Sequence, residues 1–169
     1  MEKVKEVPYG VADFVTVMEQ NLYYVDKTMF IPELEKQPRN LFFIRPRRFG
    51  KSIFLSMLHS YYDCNQSAKF QSLFGKLWIG QHPTELQGKY QVLFLDFSQV
   101  SGNIDSLERN FDFYCSVKLD GFMRRYGESY SEETREKVRK AEYAMDKLAF
   151  IHDEAAQKGF SLYLIVDEY

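Results

Sequence analysis

Three short apolar runs set the terms on which this chain can fold: Asn40 to Ile44 (NLFFI), Tyr90 to Phe97 (YQVLFLDF) and Leu162 to Val166 (LYLIV). Each is apolar on both alternating faces, the pattern of a strand covered on both sides. Between them lie stretches of helical periodicity. Lys51 to about Asp63 places Ile53, Phe54, Met57, Leu58 and Tyr61 on one broad face. Apolar residues at 104, 107, 111, 114, 119 and 122 fit a helix interrupted near Gly121. Val138, Ala141, Met145, Leu148, Ile151 and Ala155 form one stripe of a further helix. Ser129 to Glu132 fits a capping box ahead of that helix, and Gly159 fits its C′ position. Glu133–Lys137 and Glu136–Lys140 are i,i+4 ion pairs on its outer side. Residues 66–89 are mixed, with Gly75, Gly80 and His82-Pro83 as breakers. Strands alternating with helices predict an α/β domain with a largely parallel sheet.

Composition narrows the function classes. The 169 residues carry 22 Lys+Arg against 24 Asp+Glu, a formal charge of −2, which excludes a chain-wide basic footprint for nucleic acid but not a local patch. The length suits one core. Cys64 and Cys115 are far too few for a disulfide framework. The opening MEKVKEVPYG has no apolar h-region, and no apolar run approaches the roughly 20 residues that cross a bilayer. A soluble, cytoplasmic chain without membrane contact is expected, its oligomeric state left open.

The strongest chemical signal is Gly50-Lys51-Ser52, between the first apolar run and a helix. In a phosphate loop, GxxxxGK[ST], backbone N–H groups face the phosphates, Lys reaches the β/γ oxygens and the hydroxyl holds Mg²⁺. Here Arg45 stands where the first Gly belongs, and Pro46, Arg47, Arg48 and Phe49 fill the loop. The pattern is therefore a degenerate Walker A motif, and a chance tripeptide on a basic turn is its plain alternative. Its partner is the third apolar run, which leads into Asp167 and Glu168. Phosphate-loop ATPases place an Asp at the end of a buried strand for the Mg²⁺ shell, the Walker B position, and a following Glu can align the attacking water. Arg45, Arg47, Arg48 and Lys51 also suit phosphate neutralisation in a nucleic-acid backbone, which is the competing reading. A non-catalytic domain ordered by nucleotide is a third.

Other candidates are weaker. His59, His82 and His152 are too scattered for a metal site, and Cys64 has no ligand partner at zinc spacing. Asp26-Lys27-Thr28 most simply caps the segment from Met29 to Glu35. Asp96 ends the second run, at the sheet edge where open α/β folds bind ligands.

Five segments together resemble the bacterial AAA-ATPase-like family: Tyr24-Val-Asp-Lys-Thr28, Arg45-Pro-Arg-Arg-Phe-Gly-Lys-Ser52, Phe54-Leu-Ser-Met-Leu58, Leu95-Asp-Phe-Ser98 and Val166-Asp-Glu-Tyr169. The resemblance runs from about Pro8 to Tyr169. It implies a three-layer P-loop NTPase fold of the ASCE class that binds ATP and Mg²⁺. Arg45 to Ser52 would lie on nucleotide, Ser52 and Asp167 on Mg²⁺, and Glu168 would be catalytic. Residues 1–39 would then be an extension leading into the domain, and 40–169 its N-terminal portion. Relatives usually carry a PD-(D/E)XK nuclease-like domain beyond the ATPase, which would bring nucleic acid in as a partner. The chain has no further strand after Asp167-Glu168, no downstream polar sensor and no arginine finger. The expected sheet is thus incomplete, and the chain is expected to be the N-terminal part of a larger protein.

Overall fold

Helices dominate the chain up to Lys89. The structure, a computed structural model, describes residues 5–44, 46 and 49–168. In this first compact unit α1 is Phe14–Glu19, α2 Ile31–Glu35, α3 Lys51–Tyr62, α4 Phe70–Phe74 and α5 Trp78–Gln81. α1 starts where Asp13 accepts the Thr16 N–H and hydroxyl at 2.8 and 2.6 Å, an N-cap that satisfies a donor the helix itself leaves open. α3 follows the predicted pattern. Phe54, Met57, Leu58 and Tyr61 are buried and Ile53 is half-buried. The helix ends where Asp63 turns extended and accepts the Asn65 N–H. Phe14, Val17, Ile31, Met57, Phe74 and Ile79 are fully buried, and the Phe74 ring packs 5.0 Å from Phe14 and 5.5 Å from Tyr61.

Asp26 does more than cap the turn after it. One carboxylate oxygen accepts the Thr28 N–H and hydroxyl at 2.8 and 2.7 Å. The other accepts the Trp78 N–H at 2.7 Å, and Thr28 Oγ1 accepts the Ile79 N–H at 3.1 Å. The Asp-Lys-Thr turn thus serves as an external cap for α5.

The first apolar run is not a strand. Residues 41–44 form no ladder, and Phe42 and Ile44 are 80% and 82% exposed. An apolar run becomes a strand only where a second strand takes its backbone groups, and the described two-stranded sheet lies in the other unit. Phe43 alone turns inward, stacking on Phe54 of α3 at 5.0 Å.

The second compact unit starts at Tyr90 and holds the sheet: β1 (Tyr90–Asp96) and β2 (Ser161–Asp167). They run parallel, in register from Tyr90 opposite Ser161 to Asp96 opposite Asp167. The α/β expectation holds in this reduced form. α6 (Ile104–Tyr126), α7 (Glu132–Lys140) and α8 (Ala144–Lys158) make the crossover that a parallel pair requires. Leu119, Phe122, Tyr126, Val138, Ile151 and Ile165 are buried among them. From α6, the Tyr126 and Tyr114 hydroxyls accept the Val92 and Asp96 N–H groups at 3.0 and 2.7 Å. These bonds close the side of β1 that faces away from β2.

Three local expectations are corrected here. α6 runs unbroken through Gly121, because one mid-helix glycine costs only about 1 kcal/mol and buried Leu119, Phe122 and Tyr126 flank it. The cap of α7 is Ser131, not Ser129. Ser131 Oγ accepts the Thr134 N–H at 3.2 Å, while Glu154 of α8 accepts the Ser131 N–H and hydroxyl at 2.8 and 2.9 Å. A glutamate from another helix therefore does what the capping box assigns to a local one. The single stripe from Val138 to Ala155 is two helices, and α8 begins where Asp112 of α6 accepts the Ala144 N–H at 2.9 Å.

Of that stripe Val138, Ile151 and Ala155 are buried while Met145 and Leu148 are exposed, and the helix ending and outer ion pairs are as expected. Gly159 has φ 72°, and the Phe160 and Gly159 N–H groups bond to the Ala155 and Ala156 carbonyls, which is a Schellman ending. The Lys137–Glu133 and Lys140–Glu136 pairs stand at 2.7 and 3.2 Å. Among the described residues no helix is long and apolar enough to cross a membrane.

Candidate functional site

In the first unit, the chain enters α3 through Gly50, whose φ of 76° and ψ of 26° are left-handed. A side chain would be strained there, so glycine is the residue this corner needs. Because the N-cap is glycine, no N-cap side chain takes up the first-turn N–H groups. The first turn of α3 also contains no acidic residue. A helix start of this kind presents backbone N–H groups at the positive end of the helix dipole, the arrangement that suits an anion. Lys51 and Ser52 are half-buried in that first turn. Before it, the Phe49 N–H bonds to the Pro46 carbonyl at 3.3 Å, and the Phe49 side chain is 64% exposed. Arg45, Arg47 and Arg48 lie outside the described residues.

Further along α3, Ser56 Oγ accepts the Phe14 N–H at 2.9 Å and donates to Asp13 Oδ1 at 3.2 Å. Burial pushes the Asp13 carboxyl up, but the bonds from Thr16 and Ser56 outweigh it and hold the group below its usual range. The sequence carries a signal for the α1 cap, Asp13 three residues ahead of Thr16, but none for its bond to α3. His59 Nε2 lies 3.5 Å from the buried carboxylate of Asp63, the C-cap of the same helix, a structural contact.

In the second unit, Asp167 ends β2, is only 4% exposed, and accepts the Glu168 N–H at 3.1 Å. Glu168 is exposed and takes φ 56°, a left-handed conformation uncommon for a residue with a side chain. Asp96 holds the matching place at the end of β1. Its carboxylate accepts the Ser98 N–H and hydroxyl at 3.1 and 2.6 Å and Gln99 Nε2 at 3.1 Å. Burial raises the Asp96 carboxyl, and the Ser98 and Gln99 bonds with the Lys118 charge bring it below the usual range. The second unit thus brings Asp96, Asp167 and Glu168 to one end of the sheet, while Gly50, Lys51 and Ser52 belong to the first. An open recess of about 450 Å³ beside α7 and α8 is lined by Glu133, Glu136, Lys137, Lys140, Ala141, Asp146 and Phe150. Its two lysines are paired to its two glutamates.

The family described as predicted AAA-ATPase matches residues 8–169, nearly the whole chain and every segment discussed above. The chain belongs to the AAA-ATPase-like family. Membership supports nucleotide binding in general terms and agrees with the glycine-started N-terminus of α3. The AAA-ATPase-like chain is also 43% identical over 63 residues to an uncharacterized protein in the vnfD 5'region of Azotobacter chroococcum mcd 1. That match takes in 37% of this chain and 12% of the relative's length. No solved structure matches the chain.

Proposed function

We propose that this chain is the nucleotide-binding part of a P-loop ATPase of three-layer, ASCE type. Gly50, left-handed at an amide-rich helix start with no acidic residue in the first turn, is the observation that carries the reading. The backbone N–H groups of Gly50, Lys51 and Ser52 bind the β- and γ-phosphates of ATP, and the Lys51 ammonium neutralises them. The loop residues Arg45, Pro46, Arg47, Arg48 and Phe49 complete the cradle. Ser52 and Asp167 are the residues for Mg²⁺, which when bound offsets phosphate charge. The Ser52 hydroxyl in the first helical turn and a buried carboxylate at a strand end are the donor types that ion takes. Glu168 orients water for in-line attack. In a longer protein, turnover would serve a further domain, with nuclease-like chemistry on nucleic acid as the family-based candidate.

Thermal unfolding with and without Mg-ATP, beside Lys51→Ala, tests the proposal. Ligand at about 100 times its Kd adds roughly 2.7 kcal/mol to the folded state. A rise in Tm of several degrees that disappears in Lys51→Ala is expected. Equal curves in the wild type overturn nucleotide binding by this chain. Salt-sensitive binding to DNA that ATP does not compete would instead favour the basic loop as a backbone-binding patch.

A further inference from the structure

We infer that Ser56 and Asp13 are positioning residues of the phosphate loop: they hold α3 in one rotation and one axial place beneath it. The inference rests on the nucleotide reading for its functional consequence and on geometry for its structural one. Ser56 lies one turn beyond Ser52 on the same side of α3, about 6 Å along the axis. Its hydroxyl makes two directional bonds, accepting from Phe14 N–H at 2.9 Å and donating to Asp13 Oδ1 at 3.2 Å. Both partners belong to the start of α1, and that start is itself fixed. Asp13 Oδ2 holds Thr16 at its N–H and hydroxyl, and the Phe14 side chain is fully buried against Phe74.

Around these bonds α1 and α3 also bury apolar side chains, Phe14 and Val17 on one and Met57 and Tyr61 on the other, and the His59 charge of α3 acts on Asp13. Apolar burial is non-directional, whereas a hydroxyl bonded at both ends fixes distance and angle. Ser60 extends the row, since its hydroxyl donates to the Ser56 carbonyl at 3.0 Å. Ser52, Ser56 and Ser60 thus lie along one ridge, with the middle hydroxyl tied to α1. A displacement of α3 by a fraction of an ångström carries the first-turn N–H groups and the Ser52 hydroxyl with it. Small misplacements of binding groups are costly where the ligand is held by geometry.

The test uses the full 169-residue chain as wild type, Ser56→Ala and Ser56→Thr. Two quantities are read at a temperature where all three are folded. One is amide hydrogen exchange without nucleotide at Phe54 and Leu55, whose N–H groups close the first turn of α3 (Phe54 N–H bonds to the Gly50 carbonyl at 3.2 Å), and the other is the Kd for Mg-ATP. Ser56→Ala is expected to speed exchange in that first turn selectively, leaving α4 and α8 unchanged, and to weaken Mg-ATP roughly tenfold. Ser56→Thr, which keeps the hydroxyl, restores both. A purely structural bond would lower Tm and speed exchange evenly across the first unit with Kd unchanged, and that result overturns the inference. If the wild type binds no Mg-ATP but exchange still responds locally to Ser56→Ala, the nucleotide reading fails and the pin stands. If exchange in the first turn does not respond, the pin is refuted whatever the affinity.

Discussion

Asp96 and Asp167 occupy partnered positions at the C-terminal ends of two parallel strands, yet their carboxylates are engaged differently. Asp96 spends both oxygens on Ser98 and Gln99 of its own turn, whereas Asp167 is buried and accepts from the N–H of Glu168. Their variants should therefore separate. With Asp167→Asn, the extra Tm rise that Mg²⁺ adds to ATP over ATP plus chelator is expected to vanish. With Asp96→Asn, the Mg²⁺ increment should persist while the baseline Tm falls. Loss of the increment in both variants would reassign Asp96 to the ion.

Glu154 supplies a pH-dependent term. Burial raises its carboxyl, but bonds from Lys158, Thr134 and Ser131 overcome that and hold it down to about 2. A carboxyl whose folded pKa is lowered stabilises the fold fully above its unfolded value, about 4.3, and loses that contribution as pH falls toward 2. Glu154→Gln should cost about 1–2 kcal/mol at neutral pH in urea unfolding. The wild-type advantage should shrink between about pH 5 and pH 2. A gap that is constant over that range would contradict the assignment.

The tyrosine closure of β1 makes a simpler forecast. Tyr126→Phe removes the acceptor that the Val92 N–H uses at 3.0 Å inside the second unit. An amide left unbonded in a buried place costs about 1–3 kcal/mol. The loss should appear in urea unfolding, with no change in the nucleotide-dependent Tm rise.

Trp78 reports on the Asp26 clasp because it is the one tryptophan in the sequence. Asp26→Ala removes the acceptor of the Trp78 N–H and two further bonds to Thr28. A loss of about 1–3 kcal/mol is expected, together with a shift in Trp emission in the folded state. Asp26→Asn should be intermediate at best, since one amide position presents a donor where an acceptor is needed. Unchanged emission in Asp26→Ala would count against the clasp.

What depended on neighbours a few residues apart was legible from the sequence. Periodicity placed α3, the two strands and α6, of whose stripe Leu119 and Phe122 are buried but Leu107 and Phe111 exposed, and the Gly159 ending and the two outer ion pairs of α7 appeared where their spacing put them. The order Gly50-Lys51-Ser52 also marks the start of a helix, because a left-handed glycine corner is a local property.

Tertiary structure decided what local sequence could not. The local pattern points to Ser129 as the cap of α7, but Glu154, 23 residues beyond Ser131, holds Ser131 in that place. Asn40 to Ile44 has the composition of a buried strand but no ladder of its own, because strand formation requires a second backbone. Asp26 reads as a turn cap, but 52 residues separate it from the Trp78 amide that its second oxygen holds. Likewise nothing local says what Ser56 bonds to, and Asp13 and Phe14 reach it only in space. The physical reason is common to all four. A hydrogen bond or a ladder is satisfied by whichever group arrives in space, and a sequence read locally lists the donors and acceptors without saying which of them meet.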